Sequence, residues 1–167
     1  MGLLITTEDF VAKFKISEDS FTELDPYIQR YESKYLKDLL GVELFDLFKA
    51  DVVAHLPILA IYLNIFNEIR PTLINEWQPI SEGMKDMLLG FVYFEYMRDI
   101  PFTASVSGAV QSVFENSNPV AGNNYGLYER YNNSIRTYWA IQHYIVSNPT
   151  DYDTYLSTSK GLSNPMI

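Results

Sequence analysis

The chain is 167 residues long, 47% hydrophobic and 20% charged, the proportions of one globular domain that buries its own core. It has no cysteine, which excludes disulfides, thiolate metal centres and cysteine nucleophiles and points to an intracellular or virion origin. Its net charge of -9, with twelve Lys and Arg scattered along it, opposes the phosphate clamping expected of a groove-reading DNA protein. Solubility is the plain reading of such a surface.

In chain order, the opening MGLLITTEDF meets Glu8 and Asp9 too early for a secretory signal. Gly2 with Thr6 fits the N-myristoylation pattern, a match too short to carry weight. Thr6 and Thr7 as caps, Asp9 in the first turn and Phe10, Val11 and Phe14 on one face predict a short helix over Glu8 to Lys15. Ser20 to Glu23 reads as a capping box. Leu24, Ile28, Tyr31, Tyr35 and Leu39 then recur at helical spacing up to Gly41, and Val42 to Ala50 continues as a second helix hinged on that glycine.

Pro57 to Ile69 reads as a third helix. The apolar run Leu56 to Phe66 contains Pro57 and Asn64 and falls short of the ~20 residues that span a bilayer, so no membrane insertion is expected. Ser81 is placed to cap a long central helix to about Ile100, apolar nearly all round, ended by Pro101, with Gly90 letting a neighbour pack closely. A last helix runs from Asn123 or Asn124 to about Val146, its buried stripe comprising Tyr128, Tyr131, Ile135, Tyr138, Trp139 and Ile145. The expected fold is therefore all-α, a bundle of about five helices.

Thr103 to Gly122 interrupts that pattern. Val106, Val110 and Val113 suit extended chain, and a β-hairpin turning at Ser107-Gly108 with its second arm reaching Phe114 is expected to protrude before the last helix. After a helical domain over residues 1–149, residues 150–167 read as an extended tail. Its anchors Tyr152, Tyr155, Leu156, Leu162, Met166 and Ile167 suit a segment that becomes ordered against something else.

Chemistry is sparse. His55 and His143 sit on different elements without metal-ligand spacing, and no phosphate-loop, dinucleotide or nucleophile-elbow motif is present, so no enzyme, cofactor or metal is expected. Glu95 and Arg98, one turn apart, read as a structural ion pair. Asp151 and Asp153 lack the glycine and glutamate of a calcium loop. Thirteen Tyr, ten Phe and two Trp are more large rings than a bundle this size readily hides, which implies oligomerisation.

The segments ITTEDFVAKF, DPYIQRYESKYLKDLLGVELFDLF, GMKDMLLGFVYFEYMRD and SVSGAVQSVFENSNPVA, in this order, resemble the head-tail connector (adaptor) proteins of tailed bacteriophages, of the type found in phages of Bacteroidetes hosts. The likeness covers roughly Leu3 to Val146. It rests on a short opening helix, an amphipathic helix ending at Leu39-Leu40-Gly41, and a central helix leading to a Gly-containing loop with Glu115-Asn116-Ser117. It implies a non-catalytic virion protein, assembled in the bacterial cytoplasm as a homo-oligomeric, dodecameric ring under the portal protein. Such a ring extends the DNA channel, passes DNA without sequence-specific binding and docks the tail or stopper. The interface residues so implied are Val106, Gly108, Val110, Val113, Phe114, Glu115 and Asn116 on the loop, with the tail anchors embracing the portal. The alternatives are another neck, tail-completion or capsid-associated protein, or a small helical enzyme or regulator using Glu32, Glu43 and Glu95.

Overall fold

A computed structural model describes residues 2–70, 80–99, 102–105, 108–111 and 125–158. Among these residues the chain forms a mainly helical bundle. Helix α1 (Phe21–Leu40) buries Leu24, Ile28, Tyr31, Leu36, Leu39 and Leu40 at the three- and four-residue spacing of a one-sided helix. Gly41, at φ +73°, turns the backbone where a side chain would be strained, and its N–H still bonds Lys37 O at 2.9 Å. Helix α2 (Val42–Asp51) leaves directly from it and buries Leu44, Phe45 and Phe48.

Two short antiparallel strands follow, β1 (Val52–Val53) and β2 (Leu56–Pro57), then α3 (Ala60–Phe66). Helix α4 (Met84–Asp99) packs between α1 and α5 (Tyr125–Ser147), and α6 (Asp153–Thr158) closes on α2 and α5. Strands β3 (Phe102–Ser105) and β4 (Gly108–Gln111) pair antiparallel between α4 and α5.

The central place of α4 follows from its sequence. Met87, Leu88, Leu89, Phe91, Val92 and Tyr96 bury several faces of the helix at once, which only a helix with neighbours on both sides can use. Phe91 stacks on Tyr35 of α1, 4.2 Å between centroids, and meets the edges of Tyr131 and Tyr138 of α5. At Gly90 a Cβ would fall 2.0 Å from Ser134 Oγ and 3.3 Å from Arg130 O, so glycine permits this close approach of α4 to α5. Gly90→Ala is expected to force the two helices apart and cost about 2–3 kcal/mol in urea denaturation; a loss under ~0.5 kcal/mol would show that Ser134 simply rotates away.

Several expectations change. In place of a helix over Glu8 to Lys15 there are two 3-10 turns, Thr7–Asp9 and Ala12–Phe14. The Asp9 carboxylate folds back to accept the Thr6 N–H at 2.8 Å and closes one turn, and Ala12 at φ +50° breaks the helical course. Ser20 makes no side-chain cap on α1. The stretch read as one helix from Pro57 to Ile69 yields β2 and only seven residues of helix. Ser81 does not open α4: it is buried, pairs backbone to backbone with Ile69, and its Oγ accepts the Gly83 N–H at 3.0 Å. The hairpin before α5 pairs Ser105 with Gly108, so Gly108 belongs to the second strand and not to the turn, and the expected reach of that strand to Phe114 lies outside the described residues. Chain beyond Pro149 includes a sixth helix, where an extended tail was expected.

Candidate protein-interaction surface

The first residues are pinned from both sides. Glu32, 1% exposed on α1, accepts the backbone N–H groups of Leu3 (2.5 Å), Leu4 (2.6 Å) and Ile5 (3.0 Å). Burial pushes its carboxyl above the usual range, although these three donors and nearby His55 pull the other way. From the opposite side His55 Nδ1 donates to Leu3 O at 3.0 Å, which fixes the proton on that nitrogen. A Cβ at Gly2 would lie 2.5 Å from Glu32 Oε2, so the clamp closes around a glycine.

His55 belongs to the turn between β1 and β2, and that turn is strained. Ala54 (φ +49°) and His55 (φ +69°) both occupy the left-handed region, a pair of positions that two-residue hairpins normally give to Asn and Gly. Such strain, about 1–2 kcal/mol per residue, persists only where the surroundings over-determine it. Here the surroundings are the His55 bond to Leu3 and the Asp51 carboxylate, whose Oδ2 accepts the N–H groups of Ile58 (2.7 Å) and Leu59 (2.9 Å). What the anchored turn displays is aliphatic: Val53, Leu56, Ile58 and Leu59 are each more than half exposed. Four large aliphatic residues within seven positions, on a backbone tied down at three points, make an apolar edge suited to docking another protein. Sequence reading missed it, because the largely apolar run from Leu56 resembles a buried helix and Ala54-His55 carries no turn signal.

The residues expected to make interfaces are divided by the structure. Gly108 and Val110 lie on β4, opposite Ser105 and Thr103. Tyr152 and Tyr155 are a correction: they are 1% and 3% exposed, inside the chain's own core. Tyr152 OH donates to Ile61 O at 2.5 Å and its ring meets Tyr144, so the turn between α5 and α6 ties the end of α5 to α3, and neither ring is offered to a partner. Leu156 lies on α6. Val106, Val113, Phe114, Glu115, Asn116, Leu162, Met166 and Ile167 are outside the described residues.

The scattered carboxylates do not converge. Glu95, buried on α4, accepts the Tyr35 hydroxyl at 2.7 Å through Oε1 and pairs with Arg98 Nη2 at 2.6 Å through Oε2, which ties α1 to α4. Glu43 is exposed on α2 and Glu32 is committed to the N-terminal clamp. At the surface Lys13 bridges Glu82 and Asp86, and Lys85 reaches Asp9, joining the 3-10 segment to α4. Among the described residues no three His, Cys, Asp or Glu side chains are grouped to hold a metal, and no helix is long and apolar enough to cross a membrane. A depression of about 260 Å³ beside Thr6, Thr7, Glu8 and Asp25 is open to solvent. No family model, curated protein or solved structure matches the chain.

Proposed function

We propose that this protein is a structural virion subunit, a phage head-tail connector that forms a ring beneath the portal, extends the DNA channel and docks the tail. The observation that carries this reading is the anchored aliphatic edge of Val53, Leu56, Ile58 and Leu59. A ring closes through heterologous contacts, in which one patch of each subunit meets a different patch of the next. A preformed apolar edge lowers the ordering cost of such a contact. The order of elements supports the same reading, since a hairpin stands between the central and last long helices, where the resembling connectors carry their loop. The acidic surface suits a channel wall, because each cationic contact it lacks is a phosphate it does not hold.

The test is mass photometry and negative-stain microscopy of the purified chain mixed with the portal protein encoded beside it. The expected result is a portal bearing an added ring, and loss of that ring in Leu56→Asp/Ile58→Asp. A well-folded chain that never joins the portal would overturn the connector assignment and leave another neck or tail-completion position.

A further inference from the structure

The aliphatic edge is secured differently at its base and at its tip. At the base Pro57 is buried, Val52 packs on the core, and the Asp51 carboxylate holds the N–H groups of Ile58 and Leu59. At the tip the left-handed pair Ala54 and His55 closes the Val53–Leu56 pairing, and strands of two residues each are too short to hold a strained turn unaided. Among the described residues the His55 side chain has one hydrogen bond, its Nδ1 donating to Leu3 O at 3.0 Å. The tip therefore leans on a segment about fifty residues away in sequence. That segment is itself seated tightly. A Cβ at Gly2 would collide with Ile5 O and lie 2.5 Å from Glu32 Oε2 and 2.7 Å from Ile28 Cγ2, so a side chain at position 2 displaces the backbone on which His55 depends.

We infer that Gly2–Ile5 is a strap that switches the aliphatic edge. With Leu3 seated between Glu32 and His55 the tip is held in its strained form and all four aliphatic residues are presented together. With the strap displaced the tip relaxes, Val53 and Leu56 leave their places, and the edge is split from Ile58 and Leu59 at the base. The strain gives the device its sense. An Asn-Gly turn keeps the same shape without outside help, whereas Ala-His makes the shape conditional on residues 2–5. Linkage then runs both ways: displacing the strap weakens whatever docks on the edge, and a protein seated on the edge holds the strap down by the same factor. That the edge docks a partner rests on the function proposed above; its control by the strap does not.

Amide hydrogen exchange followed by NMR tests the switch on the chain alone. Gly2→Ala wedges the strap off its seat without touching the turn. The expected result is that the amides of Leu3–Ile5 and of Val53–Leu56 exchange faster together, by about tenfold or more, the scale of the strain that two left-handed residues release. The amides of Ile58 and Leu59, held by Asp51, and those of α4 should keep their protection. In a chain carrying Ala54→Asn and His55→Gly, whose turn takes positive φ without strain, Gly2→Ala should speed Leu3–Ile5 alone. If Gly2→Ala leaves the strap seated, Glu32→Ala, which removes the acceptor of three of its N–H groups, carries the same comparison. A freed strap with Val53–Leu56 still protected, equal acceleration of Val53–Leu56 in both turn backgrounds, or acceleration spread through α4 would each overturn the switch. The coupled pattern in a chain that ignores the portal would leave the switch standing and remove the connector assignment.

Discussion

Glu32→Ala is expected to lower stability by about 3–5 kcal/mol, the range found when one partner of a buried charged hydrogen-bond set is removed. The magnitude follows from geometry. One carboxylate satisfies three successive N–H groups, all of which lose their acceptor together and two of which, those of Leu4 and Ile5, belong to fully buried residues. At this chain length the midpoint of thermal unfolding should fall by roughly 10 °C or more. Glu32→Gln should recover only part of the loss, since an amide offers one acceptor oxygen and turns its own N–H groups toward the backbone donors. Thermal melting of both variants, with limited proteolysis to detect early release of residues 2–5, measures the effect. A fall below ~1 kcal/mol in Glu32→Ala would mean that water replaces the carboxylate without penalty.

The second large effect is with pH. Tyr35, Tyr138 and Tyr152 place their hydroxyls on acceptors inside the fold, Glu95 Oε1, Asp38 O and Ile61 O. Burial raises the pKa of all three well above the usual phenol value, and the Glu95 carboxylate adds to the shift at Tyr35. Above about pH 10 the unfolded chain loses these protons while the folded chain keeps them, so the unfolded state binds fewer protons and stability falls as pH rises. Each tyrosine contributes about 1.4 kcal/mol per pH unit, and the three together about 4. Against a total stability of about 5–15 kcal/mol, the bundle should unfold cooperatively within about three units above pH 10. Tyrosinate absorbance and helical circular dichroism should then change together. Smooth titration of all thirteen tyrosines near pH 10 with helicity retained would show that the rings are open to solvent.

Much of the bundle was legible because its strongest signals are local. The α1–α2 joint needs one glycine at positive φ, and Gly41 supplies it where the helical spacing breaks. Helix α4 announces its central position by being apolar on several faces. The errors fall where two structures share one pattern. Thr6 and Asp9 are good capping residues, yet they close a single turn on each other and never start a helix. The exposed edge at Val53 to Leu59 depends on Leu3, Glu32 and Asp51, residues remote from the turn or spent on its backbone, so no window of sequence contains it. On α5, rings occupy both faces. Periodicity finds the helix without choosing the inner side, which is why Tyr128 and Trp139 read as core and stand at the surface. Tyr152 and Tyr155 err in the opposite sense: a short, weakly periodic segment after Pro149 resembles a free tail, and the Ile61 carbonyl that captures it is 91 residues away.

The clamp on Leu3 also sets an order of events during synthesis. Its two partners lie 29 and 52 residues downstream, so during synthesis Leu3 has neither partner until α1, α2 and the strained turn have followed it. Complete docking of residues 3–5 therefore waits on elements made after them, and it couples their order to that of the hairpin bearing the aliphatic edge.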